Sequence, residues 1–406
     1  MALKLKVDEW LFAAAVGLAL FGVVMVYSAS AALDPLHYVV RQSIWTGLGL
    51  VAMLGAMRIN YEWLRSRIVV YGLLALALLL LLAVFAFPRI NGAHRWIIIG
   101  GLSFQPSEIS KLALVVAIAR FLERRAGNEG AFWSTFAPCV GLTGVLAALV
   151  AAEPDLGTAM MLITACGAML FAAGARIRHL ALAAAPAIIC LAGLLVLVPW
   201  RLQRLVTFLD PWAAPQDAGY QVVQSLIAVG SGGVDGAGFA AGKQKLFFLP
   251  FAHSDFIFAV ISEELGFFGA LVVLGLFGLF LWRGVRAVLG APDRFSLLLS
   301  FGIVVLIVTQ ALFNISVVLS LVPTKGIPLP FISYGGSSLL TTLFSVGLLL
   351  NISQYAGTRG TMMRTAEAQR YRDHGRQWAV SVRRSLPFMS LLLTGALSVL
   401  ASLRLF

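Results

Sequence analysis

"LPFAHSDFIFAVISEELGFFGALVVLGLFGLFLW", residues 249–282, decides the fold. From Phe256 to Trp282 the run is apolar and long enough to cross a hydrocarbon core of about 30 Å, which takes roughly 17–25 helical residues. It nevertheless contains two adjacent acids, Glu263 and Glu264, and follows directly on His253, Ser254 and Asp255. A carboxylate at membrane depth is costly unless it meets a partner or a polar cavity. The acids therefore need a reason.

Runs of the same kind recur at 10–30, 39–57, 67–87, 107–122, 133–151, 158–174, 179–199, 295–318 and 338–353. Hydrophobic residues make up 60% of the 406 residues and charged ones 12%, a balance that a soluble chain of this size could not hold without large exposed apolar patches. The expected fold is all-α: a polytopic membrane protein with ten core transmembrane helices over 1–353, and 386–403 as a candidate eleventh, spanning or lying flat. Residues 354–384 read as a basic cytoplasmic segment and 385–406 as a further apolar one. Val7–Ser30 is too long for the h-region of a cleaved signal peptide, so the first run is expected to remain as a helix. Cys139, Cys166 and Cys190 all lie inside apolar runs without metal-ligand spacing and read as small core residues.

Lysine and arginine set the orientation. With the N-terminus on the cytoplasmic side, twenty fall in inner segments, seven of these being arginines between Arg359 and Arg384. Outer segments hold seven: Arg89, Arg95, Arg201, Arg204, Lys243, Lys245 and Lys325. The formal charge of +12 is thus membrane anchoring, and no basic patch interleaved with aromatics points to nucleic acid. The inner loops are short and lack a Walker or glycine-rich phosphate pattern. The outer ones carry the unusual sequence: 200–255, 88–106 and 320–338. Chemistry is expected on the outer face.

"NGAHRWI" (91–97), "SFQPSEISKLALV" (103–115), "EPDLGTA" (153–159), "HSDFIFAVISEELG" (253–266) and "PTKGIPLPFISYGGSS" (323–338) occur in that order between ten apolar runs. In this the chain resembles the SEDS family of bacterial shape, elongation, division and sporulation proteins, over about 10–355, with "PTKG" closer to its division members than to its elongation members. The resemblance implies a peptidoglycan glycosyltransferase in the bacterial cytoplasmic membrane. It would polymerise lipid II on the outer leaflet, beside a class B penicillin-binding protein and other divisome or elongasome membrane proteins. It also admits a divalent cation, Mg or Mn.

Glycan extension needs a base to take the acceptor hydroxyl's proton as that oxygen attacks the anomeric carbon and undecaprenyl pyrophosphate leaves. The resemblance gives this role to Asp255. The competing reading is an N-cap, which an Asp just ahead of a helix commonly provides. Glu263 and Glu264 lie about 12–13 Å further along a straight helix, too far to act with Asp255 across one sugar bond. They read as interior ties to cations or backbone.

Glu108 and Lys111, at i and i+3, pair on one face of the fourth span. The resemblance puts that face on a polar cavity shared with Asp255, where Lys111 would tune the aspartate or bind pyrophosphate. Asp155, after Pro154, is either a helix cap or part of the outer cavity. Arg95 can grip phosphate, and Trp96 can touch substrate or sit in the aromatic belt. His253 and Ser254 flank the aspartate. Gly335, Gly336 and Ser337 form either an anion-binding nest or a tight turn, with Lys325 nearby. The glycines of "GSGGVDGAG" (230–238) favour a flexible, disordered loop over a phosphate nest.

Two positions depart from the family pattern: Phe251 stands where glutamate is usual and Ser254 where threonine is usual, which weakens the metal inference. The apolar segment after Arg384 is a further departure, and its Ser398 and Ser402 would allow close helix packing. A lipid flippase or ion-coupled transporter is the alternative function. Against it, the polar motifs gather on the outer face instead of the midplane, and no inverted repeat is evident. A non-catalytic scaffold is the third reading.

Overall fold

The computed structural model describes residues 7–355, other than 91, 100–101, 197–202, 204–205 and 218. The remainder of the basic stretch and the segment 386–403 lie outside the described residues.

Among the described residues these α-helices run in order: α1 Glu9–Ala29, α2 Pro35–Ala56, α3 Arg67–Ala83, α4 Pro106–Arg124, α5 Ala137–Ala152, α6 Leu156–Ala173, α7 Ile177–Val196, α8 Tyr220–Gly232, α9 Ile257–Gly290, α10 Arg294–Val318 and α11 Gly336–Gln354. Each of the ten apolar runs carries a helix. Among the described residues eight helical stretches are long and apolar enough to cross a membrane, over α1–α3, α5, α6 and α9–α11. α4 is outside that set, and its sequence carries Glu108, Lys111 and two arginines among apolar neighbours. This is an integral membrane protein.

The helices begin where a short polar side chain can take up the orphan N–H groups of the first turn. Asp8 caps α1, Asp34 caps α2 just ahead of Pro35, and Ser66 caps α3. Asp293 and Ser296 form a reciprocal capping box on α10. α10 is the central helix, with 83% of its apolar window buried against 22% for α3 at the periphery. Two features depart from the helical expectation. The 88–106 loop contains a small antiparallel hairpin, β1 Ile97–Ile99 with β2 Leu102–Phe104, and the 200–255 loop contains α8.

Polar ties mark the two ends of the bundle. Arg283 on α9 donates two bonds to Asp8 at the start of α1, with Nη2 at 2.7 Å. At the other end, Ser28 of α1 donates to Glu264 of α9, and the Lys245 ammonium caps both. Asp8 and Ser28 are twenty positions apart on α1, about 30 Å of helical rise, and their partners Glu264 and Arg283 stand nineteen positions apart on α9. That spacing equals the thickness of a bilayer's hydrocarbon core. Further pairs lie at the Asp8 end: Arg65 with Glu123, Arg294 with Glu129 and Tyr61 with Asp293.

α9 is broken at Gly266, whose φ of 61° and ψ of −160° fall in a region that only glycine occupies cheaply. The break frees backbone groups that a continuous helix would use. The carbonyls of Glu263 and Glu264 accept from Ala237 and Gly238, and Phe267 N–H donates to Gly233. The Glu263 carboxylate takes the N–H groups of Lys243 and Gln244, and that of Glu264 takes Ala240 N–H. Residues 233–245 are therefore laid along the helix and held to it by these bonds, not a disordered loop. The glycines that suggested flexibility serve contact instead: a Cβ on Gly236 would sit 2.2 Å from the Glu264 carbonyl oxygen. The same geometry explains the two acids, which tie this segment down through a cation and backbone N–H groups.

Gly266→Ala places a Cβ 2.4 Å from Gly236 N in a forbidden backbone conformation and should cost about 1–3 kcal/mol or more. A clear drop in the thermal midpoint of the detergent-purified protein is expected. Gly275→Ala, in open space on the same helix, should change it little.

Candidate active site

The sequence motifs converge at the Ser28 end of the bundle. Asp255 lies in a turn ahead of α9, half-buried. Phe256 occupies the N-cap position, without a side-chain cap bond of its own, and Asp255 stands one residue before it. The Asp255 backbone is fixed from outside the helix. Three successive carbonyls accept hydrogen bonds: His253 from Tyr334 N–H at 3.0 Å, Ser254 from the Ser333 hydroxyl at 2.6 Å and Asp255 from the Asn314 amide at 2.7 Å. The second N–H of the Asn314 amide goes to the Ile327 carbonyl, also at 2.7 Å. The Asp255 carboxylate faces Gly326, where an added Cβ would come within 2.7 Å of Oδ2.

Two elements supply these donors. One is α10, with Gln310 and Asn314 one turn apart on the same face. The other is the 323–335 loop, folded on itself by the Ser333 hydroxyl, which accepts from Leu329 N–H at 2.7 Å. His253 packs between Tyr38 of α2 and Tyr334, with ring centroids at 4.8 and 5.7 Å. Burial holds its imidazole below the usual histidine range, so it is neutral at pH 7. Ser254 closes a tight turn onto the Phe251 carbonyl. Lys325 is half-buried at the start of the same loop.

The Glu108–Lys111 pair forms as expected, at 2.9–3.0 Å, and is buried. Lys111 also donates to Gln310 Oε1 at 2.8 Å, while Gln310 Nε2 donates to the Pro328 carbonyl at 2.9 Å. A cavity lies against this pair, lined by Ile307, Gln310, Pro330, Thr342 and Ser345 among others. Asp255 is not in that lining. The connection between the two is the polar face of α10, through Gln310, Asn314 and the loop they hold.

The remaining candidates build the neighbouring wall. Asp155 caps α6, accepting from Thr158 N–H and hydroxyl, and also accepts from Gln105 at 3.1 Å. Gln105 N–H in turn donates to the buried Ser337 hydroxyl at 3.2 Å. Arg95 clamps the α5–α6 corner by donating to the carbonyls of Glu153 and Pro154. Trp96 is half-buried beside it. The start of α11 is packed, with the Trp45 indole filling the space beside Gly336. Glu153 is wholly buried, and among the described residues neither carboxylate oxygen has a hydrogen-bond partner. Burial, with Asp155 adding and Arg95 opposing, pushes its carboxyl up to about 8.

A profile of the cell cycle protein family that groups FtsW, RodA and SpoVE matches residues 9–358. The chain belongs to this family. It is 45% identical over 349 residues to a probable peptidoglycan glycosyltransferase FtsW of Geobacter metallireducens, covering 84% of this chain and 92% of that one. Stage V sporulation protein E of Bacillus subtilis is 40% identical over 343 residues, with 82% and 93% covered. Among solved structures, a chain of a peptidoglycan synthase complex described as coordinating polymerization and crosslinking superposes with a TM-score of 0.73 at 30% identity. It covers 88% of this chain and 99% of that one. Thermus thermophilus RodA, a rod shape determining protein, gives 0.65 at 30%, covering 87% and 98%. Within the family the chain lies close to FtsW, as "PTKG" suggested.

Lys111→Ala strands Glu108 in a buried site and should cost about 3–5 kcal/mol, as losing one partner of a buried pair does. Lys111→Met with Glu108→Gln should recover most of that loss in thermal unfolding, and Lys325→Ala should be mild. Glu153 supplies a pH signature. Its folded carboxyl keeps a proton that the unfolded chain releases near 4.5, so stability falls as pH rises from about 4.5 to 8 and is level above. Unfolding midpoints of Glu153→Gln between those limits should show a flatter pH dependence than the parent protein.

Proposed function

We propose that this protein is a peptidoglycan glycosyltransferase that polymerises lipid II during cell division or shape maintenance, with Asp255 as the general base. One observation carries the assignment of the base: the backbone of the aspartate and of both preceding residues is fixed by three separate donors. Such an arrangement holds a carboxylate in place ahead of the reaction, where orientation counts for most. Gly326 lies against the carboxylate, where any larger residue would collide with Oδ2.

In this reading Asp255 accepts the proton of the acceptor hydroxyl as the oxygen bonds to the anomeric carbon of the donor sugar. The bond from that carbon to the pyrophosphate oxygen breaks on the opposite side, and undecaprenyl pyrophosphate departs. Lys325, on the loop that touches Asp255, and Arg95 on the neighbouring wall are the cations for pyrophosphate. Trp96 and Ser254 border the sugars. Lys111 and Glu108 hold α4 to α10 and so hold Gln310, while Asp155, Ser337 and His253 keep the three outer loops in register.

Among the described residues no three His, Cys, Asp or Glu side chains gather as a metal cage. A divalent ion, Mg or Mn, would have to draw most of its ligands from substrate and water. The excess of cations in alternate segments supports an N-terminus in the cytoplasm and a site on the outer face of the cytoplasmic membrane. A transpeptidase of the class B penicillin-binding type is the partner that fits a relative coordinating polymerization with crosslinking.

Asp255→Asn keeps size and removes the proton acceptor. With purified protein and fluorescent lipid II in detergent, polymer should form about 10²–10⁴ times more slowly, the range for loss of a general base, with an unchanged thermal midpoint. Polymer at near-parental rates would overturn the assignment. Parental protein that made none, with or without a transpeptidase, would overturn the activity itself.

A further inference from the structure

Immediately ahead of the site four apolar side chains stand in the open: Leu246, Phe247, Phe248 and Phe251, with Phe247 73% exposed. Their backbone is not loose. Leu246 N–H donates to Lys243 O at 3.0 Å and Leu249 N–H to Gln244 O at 2.7 Å, with Leu249 a buried anchor among them and Ala252 another just after. Phe247 and Phe251 adopt φ of 68° and 58°, a left-handed conformation that is unfavourable for a bulky residue and persists only where the surroundings impose it. The turn is thus built to hold aromatic rings away from the protein.

The polar ties of α1 and α9 give the height of this turn. Lys245 sits on Glu264 and Ser28, the tie that marks one edge of the apolar layer, about 30 Å from the Asp8–Arg283 tie at the other. Leu246, Phe247 and Phe248 follow Lys245 in the chain, so they stand at that edge. Rings at this level meet the upper part of the acyl chains, where phenylalanine and leucine gain by leaving water. The exposed Lys243 beside them suits an anionic headgroup.

We propose that Leu246–Phe248, together with Phe251, is a finger that inserts into the leaflet at the site's end of the bundle. Its occupant is bulk lipid, and its effect is to hold the turn bearing Asp255 at a set height above the acyl chains. The test is depth measurement on the full chain. Phe247→Cys, Phe248→Cys and Lys243→Cys are labelled with a nitroxide, and the unsubstituted protein gives the background of its own cysteines. All are placed in vesicles of phosphatidylcholine and phosphatidylglycerol. Collisions with oxygen and with an aqueous nickel chelate should place the labels at 247 and 248 about 5–10 Å below the headgroups, as for interfacial insertion, and the label at 243 in water. Nickel access at 247 and 248 equal to that at 243 would overturn the proposal. So would insertion or protection seen only after adding lipid II, which would make the finger a substrate site, or only after adding a transpeptidase, which would make it a protein contact. If the cysteine variants fail to fold, Phe247→Trp and Phe248→Trp with lipids brominated along the acyl chain give the same reading by quenching.

Discussion

The side-chain amide of Asn314 is the contact on which the candidate site depends. Its two N–H bonds reach two carbonyls from different parts of the chain, Asp255 and Ile327, each at 2.7 Å. An amide NH2 has two donors and both are used here. Taken away, it would leave two carbonyls without that donor where water is scarce and an unmade bond is expensive. Through Ile327 the loop continues to Gly326 against the Asp255 carboxylate, and to Gly157 beside Asp155, whose missing Cβ makes room for the Ile327 side chain. One neutral residue in an apolar helix thereby sets the spacing of three outer segments.

Charge is used differently at different depths. At the Asp8 end, ion pairs join short basic loops to neighbouring helices. At the site's end, three buried acids within helices are engaged: Glu108 with Lys111, Glu264 with Lys245, Glu263 with backbone N–H groups. Such pairs add little net stability compared with apolar packing, but they are strongly directional and penalise alternative arrangements. A glycosyl transfer that must exclude water and place two large lipids benefits from rigidity of that sort.

The membrane fold was legible in the sequence because apolar runs of bilayer length leave few alternatives, and all ten of them carry helices. The charged candidates were legible for the same reason: a lysine three residues after a glutamate in an apolar run has an obvious partner, and Glu108–Lys111 formed. What escaped was neutral. Gln310 and Asn314 are amides one helical turn apart in the most buried span, yet a search for titratable groups passes over them. Lys245 was counted only as an outer cation, because nothing local relates it to Glu264 nineteen positions on. The glycines of 230–238 were misread for a related reason, since sequence shows that a glycine is permissive and not that another backbone lies against it. The Glu108–Lys111 cavity and the Asp255 turn proved to be adjoining places joined by α10, a distinction that requires coordinates.

The polar ties at the two ends of α1 and α9 also bear on how the protein meets membranes of unequal thickness. A pair of helices fastened only in the middle can slide, lengthening or shortening its apolar belt to suit the lipid. Here both ends are locked, by Asp8 with Arg283 and by Ser28, Lys245 and Glu264, so sliding would break a buried pair at one end or the other. Hydrophobic mismatch must then be met by tilting the two helices as one body or by deforming the bilayer around them, at fractions of a kcal/mol per Å.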